Sequence, residues 1–403
     1  MFNKQLLQSI SPILSMLILT LGNGLYTTTT TLQLHDMNMG AWAVALVSTA
    51  YYAGMMIGPL HIQRTLIRIG HIRAFAVFAS VMAASILIQG MFPDIWLWAV
   101  LRFVVGYALA ALFVCAESWM LAASDEKAKG RVLAFYLLSY YVAQAFSQLL
   151  LGIPFSEPLM VFCLVGAVIA LSTLPVCLTR FAAPVPEKLK LISPMVLIKK
   201  APLGLWAGLS GGMILGVVYT MFPFVLAQDG FDKGDVAVVM FSIILGGGLL
   251  QMPIGRWSDR TDRRRVIFAA CIATFGLGIL AALIHSSFIA LTLVSFFLGG
   301  VTFTIYPLAI SHTADYVGRE FAVTAIALIT VIYGVGSMIG PLILPFFLHW
   351  HVMGFYLYLA LIGLLLGLYT LWRILHREPA TDTVNFIPLR PEMKLSQEKI
   401  REV

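Results

Sequence analysis

Twelve stretches of this chain stay apolar for about twenty residues or more, the length a helix needs to cross a bilayer. They run over 10–34, 41–63, 73–92, 95–121, 131–153, 158–179, 202–227, 234–255, 266–285, 288–311, 321–347 and 353–375. Few folds accept such a pattern. In lipid every peptide N–H and C=O must be bonded within the protein, so only helices and closed barrels span it. Barrel strands are about half as long and alternate in polarity along the strand, and these runs do neither. Composition agrees, with 60% hydrophobic and 11% charged residues, against about 25% charged in soluble domains.

The net charge of +7 raises the question of nucleic acid, and its placement answers it. With the N-terminus cytoplasmic, all but two of the 26 Lys and Arg fall in cytoplasmic segments. The exceptions are Lys233, outside, and Arg102, within a span. This is the bias that orients inner-membrane proteins, so both ends are expected in the cytoplasm and no nucleic-acid partner is expected. Lys4 before an apolar run mimics a leader peptide. The run continues past Thr31 with no small-residue cleavage site, so it reads as the first span. Cys115, Cys163, Cys177 and Cys271 lack metal-ligand spacing and read as small buried hydrophobes.

The two halves repeat at an offset of about 190 residues, as parallel transporter halves do. Gly24–Leu34 parallels Gly216–Leu226, and Tyr140-x-x-Ala143-x-x-x-Ser147-Gln148 parallels Tyr333-x-x-Gly336-x-x-x-Gly340-Pro341. Gly130-Arg131 opens span five as Gly318-Arg319 opens span eleven. The expected fold class is an all-α polytopic membrane protein with 12 transmembrane helices in two pseudo-symmetric six-helix bundles. The expected units are 1–182, a cytoplasmic linker 183–200, 201–377, and a cytoplasmic tail 378–403.

Arg102 and Glu117 are the charges that fall well inside a span, both in WLWAVLRFVVGYALAALFVCAESWM, residues 96–120. A guanidinium there costs at least ~2.5–3.5 kcal/mol, so it normally faces a protein interior or a wet pathway. The two lie ~22 Å apart along a helix, within about 60° of one face. Arg102 reads as a binder of an anionic group or a modulator of a neighbouring acid; the plain alternative is a tie to backbone carbonyls. Glu117 reads as a proton carrier, and the alternative is a gate ion pair with Arg68 or Arg131. Thr27–Thr31, beside Asn23 and Tyr26, cover every face of span one, so some line a cavity and others bond back to carbonyls. Tyr136, Tyr140, Gln144, Gln148, Tyr219, Thr304, Tyr306 and Tyr333 each read either as cavity lining or as interhelical hydrogen bonds, and together suggest a neutral-to-anionic, hydrogen-bonding and aromatic cavity. His312 and Asp315 share a helix face and read as a solvated helix end, with a proton relay as the alternative.

PIGRWSDRTDRRR, residues 253–265, resembles the loop motif of the major facilitator superfamily. The resemblance covers nearly the whole chain, and its closest likeness is to an uncharacterised bacterial branch. It implies that Gly255 permits close helix approach, that Asp259 caps or pairs across the loop, and that Arg260, Arg263 and Arg264 hold the inner gate. Asp262 stands where that family has Gly. The first-half loop QRTLIRIGHIR keeps Arg68 and Gly70 and lacks the Gly and Asp. Arg102 with Gly106 resembles the fourth-span motif, and Gly334-x-Gly336-x-x-x-Gly340-Pro341 resembles the Gly-Pro motif of drug/proton antiporters, there in span five. The resemblance implies alternating access by rocking halves.

The expected function is secondary active transport of a small solute across the bacterial inner membrane, proton-coupled, with efflux favoured over uptake. The alternative is a transporter-like sensor or lipid-handling protein without concentrative transport. No nucleotide loop or catalytic cluster stands in the sequence, so no enzyme is expected. No cofactor or metal is expected, and the partners are the lipid bilayer, the solute and protons, around a monomer.

Overall fold

A computed structural model describes residues 2–122, 126–155, 157–179, 201–317, 322–349 and 351–378. Among them, twelve helices are long and apolar enough to cross a membrane, and no strand is present. They are α1 (Phe2–Asp36), α2 (Ala41–Ile69), α3 (His71–Met91), α4 (Ile95–Ala122), α5 (Glu126–Leu149) and α6 (Pro158–Leu171, its span completed by a short helix over Leu174–Cys177) in the first half. The second half holds α7 (Pro202–Thr220), α8 (Lys233–Arg260), α9 (Arg263–Ile284), α10 (Phe288–Val317), α11 (Ala322–Leu348) and α12 (Gly354–His376). Twelve crossings bring Phe2 and Glu378 to one side, called here the terminal side; the other is the distal side. The linker 183–200, and the tail from 379 onward, lie outside the described residues, as do the side chains of Arg131 and Arg319.

Lipid tails are as apolar as leucine, so helices in a membrane associate through close packing rather than hydrophobic exclusion, and small residues mark the contacts. The closest contacts recur in both halves. α2 packs on α4 as α8 packs on α10, α1 on α5 as α7 on α11, and α3 on α6 as α9 on α12. A Cβ at Gly54 would strike the carbonyl of Phe103, and one at Gly106 that of Tyr51; at Gly246 it would strike Phe296, and at Gly299 Ile243. The α2–α4 and α8–α10 crossings are therefore one arrangement used twice. Between halves, α2 meets α11 and α5 meets α8, again an equivalent pair. Gly336 and Gly340 turn toward α7, where the backbone of Leu209 and Met213 leaves no room for a side chain. Their close packing accounts for the spacing that resembles an antiporter motif.

Two breaks have local causes. α7 ends at Thr220 and resumes as a short helix, Phe222–Gln228, because Pro223 has no N–H to continue the ladder. The hydroxyl of Thr31 donates to the Thr220 carbonyl at 2.8 Å, which satisfies an acceptor near that break. Gly70 joins α2 to α3 in one residue at φ +78°, a conformation that costs glycine little. Contrary to expectation, Cys163 and Cys177 are exposed on the helix exterior; Cys115 and Cys271 are buried.

Gly106→Val forces a side chain into the Tyr51 carbonyl, an obstacle of rigid backbone. We expect a loss at or above the ~3 kcal/mol upper range of overpacking, read as lost monodisperse protein and a lowered Tm in detergent. Gly276→Ala, with nothing within 4 Å of its Cβ, should leave both unchanged.

Candidate functional site

Between the halves lies a small cleft walled by α2, α4 and α11. Tyr52, Met55, Phe113, Glu117, Thr330 and Tyr333 line it. α2 and α4 belong to the first half and α11 to the second, so relative motion of the halves would reshape it. Among the described residues its one charged wall residue is Glu117, 3% exposed, with the hydroxyl of Tyr136 at 3.5 Å. Behind Tyr333, the Tyr306 ring packs at 4.3 Å between centroids, and the Tyr306 hydroxyl bonds Thr330 at 2.9 Å.

The distal side of the cleft is closed by contacts between halves. Lys233 Nζ meets Asp36 at 3.0 Å, Thr31 reaches the Thr220 carbonyl, and Thr49 donates to the Met338 carbonyl at 3.1 Å. The Trp42 and Phe346 rings meet edge to face at 4.9 Å. Glu117 lies on the terminal side of this seal, near the end of α4. Lys233, on the distal side, thus ties one half to the other.

Arg102 sits apart, in the distal part of the first half. Its side chain is 1% exposed. The guanidinium carbon lies 4.8 Å from the Tyr26 ring centroid and 4.2 Å from that of Tyr51, within range of cation–π attraction. Tyr26 donates to Gln89 Oε1, Gln89 donates to Thr30 at 3.3 Å, and Asn23 donates to the Tyr51 hydroxyl at 3.4 Å. Arg102 Nε and Nη1 have no hydrogen-bond partner.

The anticipated lining therefore divides. Asn23 and Tyr26 gather round Arg102, while Glu117 and Tyr333 face the cleft, with Tyr306 behind. Tyr140 stands behind Phe113 at 6.2 Å, and Tyr219 packs on Phe303 at 5.3 Å. Gln144 is buried between α5 and α1, beside Gly24. Thr27 is buried, as are all five threonines; Thr30 and Thr31 bond back to carbonyls one turn earlier, and Thr28 bonds Gln148 at 2.7 Å. Sequence reasoning missed Tyr51, Tyr52 and Gln89. A polar residue near the end of span three was the available signal for Gln89.

At the terminal side, the motif residues form one cluster within the second half. Arg263 bonds Asp315 at 2.8 Å, Ser258 at 2.9 Å and Asp259 at 3.3 Å. Gly255 is buried; Arg260, like Arg68, is exposed. His312 and Asp315 were expected at a solvated end, and this is corrected: His312 is 2% exposed and Asp315 is the buried partner of Arg263. Helix packing, invisible to local spacing, closes over them. Asp262 caps α9 by accepting from the Arg264 N–H at 3.0 Å and holds the Arg264 side chain at 2.7 Å. Arg264 Nη1 in turn donates to the Arg377 carbonyl at 2.7 Å.

A family profile described as Major Facilitator Superfamily matches residues 12–245 and 204–401. A protein of Escherichia fergusonii described as the uncharacterized MFS-type transporter YcaD is 30% identical over 328 residues, 81% of this chain and 85% of that protein. The protein of the same description from Salmonella enteritidis is 29% identical over the same shares. Among solved structures, a mutant of the nucleoside transporter NupG superposes with a TM-score of 0.76 at 14% identity, covering 91% of this chain and 99% of that one. A D-xylose–proton symporter superposes with a TM-score of 0.71 at 12% identity, covering 90% and 96%.

The Asp262 cap is open to a pH test. Burial, the largest single influence, acts to raise its pKa, but the hydrogen bonds and charge of Arg264, with the charge of Arg265, hold it below the usual value. A depressed carboxylate stabilises the fold above its unfolded pKa of about 3.9 and loses that contribution as pH falls through the folded value. Asp262→Ala should cost about 1 kcal/mol at neutral pH. The Tm gap to wild type should be full above about pH 5 and shrink below about pH 4.

Proposed function

Because this chain belongs to the major facilitator superfamily, we propose that it is a secondary active transporter, carrying a small solute by exposing the cleft to each side of the membrane in turn. The observation that carries this reading is the placement of the cleft across the two halves, with a distal seal made of contacts that can be parted. The Lys233–Asp36 pair is substantially exposed, so it is worth about 0–1 kcal/mol and salt screens it. Such a latch holds one state without locking it.

Proton coupling is assigned to Glu117. A carboxyl in the cleft wall, near the seam between halves, can change protonation as solvent access changes. The crowding of Lys and Arg on the terminal side supports cytoplasmic chain ends in a bacterial inner membrane. With that orientation a cleft on the terminal side of the seal loads from the cytoplasm, which favours export. The role of Tyr140 is to support the Phe113 wall of this pathway from behind.

Inside-out vesicles provide the test. After energisation, compounds are added class by class and the pH gradient is followed. Collapse with one class, absent in Glu117→Gln, is the expected result and names the substrate class. No collapse with any class, from protein shown to be folded in the membrane, overturns proton-coupled export. Separately, Lys233→Ala should raise labelling of a cysteine placed at Thr49 from the distal side by up to about fivefold, since 1 kcal/mol is that factor. Equal labelling of that cysteine in low and high salt, with Lys233 intact, would remove the latch role.

A further inference from the structure

We propose that Arg102 is the centre of an anion subsite, taking a carboxylate, phosphate or similar oxyanion carried by the solute. This rests on the transport reading above and specifies the solute's charge. A buried charge is normally paired or fully hydrogen-bonded. Arg102 makes no ion pair among the described residues, and two of its nitrogens lack an acceptor at 1% exposure. The Tyr26 and Tyr51 rings favour a cation, yet ring faces offer no lone pairs to N–H donors. An oxyanion supplies both missing elements, the counter-charge and the acceptors, and guanidinium geometry suits it.

Helix packing does not demand this arginine. The α8–α10 crossing repeats α2–α4 through the same glycine contacts, Gly106 against Tyr51 in one and Gly299 against Ile243 in the other. In that register Ser295 stands at the place of Arg102 and Ile243 at the place of Tyr51. The second half builds the same crossing without a cation or a tyrosine there. The charge is thus an addition to the scaffold.

The position also links to the cleft. Tyr51 touches Arg102 on one side and packs edge to face on Tyr52 at 5.2 Å on the other, and Tyr52 is a cleft wall. Asn23, bonded to the Tyr51 hydroxyl, keeps Oδ1 without a partner. A solute with an oxyanion and a nearby hydroxyl or N–H donor would satisfy both groups. In this conformation the subsite is closed, so filling it requires Tyr51 and Tyr52 to part.

The test is a thermal-shift titration of the purified full-length protein with phosphate, sulfate, acetate and lactate, at ionic strength matched with chloride. A saturable rise in Tm with at least one of them, lost in Arg102→Met, is expected. Arg102→Met should be at least as stable as wild type without anion, because an unpaired buried charge is gone; a role in tying helices together gives the opposite sign. Arg102→Lys, which keeps the charge and loses the planar fork, should weaken the effect about tenfold, and it serves if the methionine variant does not fold. A response to phosphate or sulfate alone identifies a free inorganic anion as sufficient, and a response to lactate only identifies the organic solute as the source. No saturable rise in wild type, or the same rise in the variants, overturns the subsite. Neither result depends on flux, so the transport reading stands or falls separately in the vesicle assay.

Discussion

The structure depends first on how near two backbones can come. In water, helices are driven together by burying apolar faces; in lipid that gain is absent, and packing distance decides association. Gly54 with Gly106, and Gly246 with Gly299, let α2 meet α4 and α8 meet α10 at carbonyl contact. Each pair fixes the centre of one half. The glycines that face Ser337, Tyr333 and Met213 set the α7–α11 contact by the same means. With those crossings set, the remaining faces of α2 and α11 meet across the seam, and the cleft is the space their side chains do not fill.

Polar groups in such a scaffold follow a strict rule, since each one buried in lipid must find a partner nearby. Most do so locally. Thr30, Thr274, Thr302, Thr304 and Thr370 bond the carbonyl one turn back. Others repair defects, as Thr31 does at the α7 break. Arg102 departs from the rule at two atoms, since its Nε and Nη1 have no acceptor while the Tyr26 and Tyr51 rings flank the guanidinium. Glu117 follows it while lining a space that solvent or solute can reach. These two groups lie near opposite ends of one helix, so α4 connects the distal polar cluster with the cleft.

Run length and charge placement carried much of the fold. The helices α2 and α8 extend past their apolar runs, to Ile69 and Arg260, because polar ends stay helical where water replaces lipid. The candidate site was less legible. Arg102 and Glu117 stand out by type alone, since a charge amid apolar residues is costly wherever it ends up. Tyr51, Tyr52 and Gln89 do not, because each is ordinary in a membrane helix until a neighbour gives it a role. His312 misled for the same reason: three residues from Asp315 near a helix end, it reads as solvated, and only Arg263 and the packed ends of α9 and α12 bury that corner.

The sequence by itself determined that this chain has twelve membrane-spanning runs, with nearly all of its Lys and Arg in the segments expected on one side, and two halves that repeat. Those properties depend on local hydropathy and on spacing along the chain, which the bilayer reads one segment at a time. Only the tertiary structure decided which polar residues meet, that Arg102 lies between Tyr26 and Tyr51, and that Glu117 faces the seam while Gln144 does not. A helix carries side chains on every face, and the face that meets a neighbour is chosen by close contacts between residues far apart in the chain.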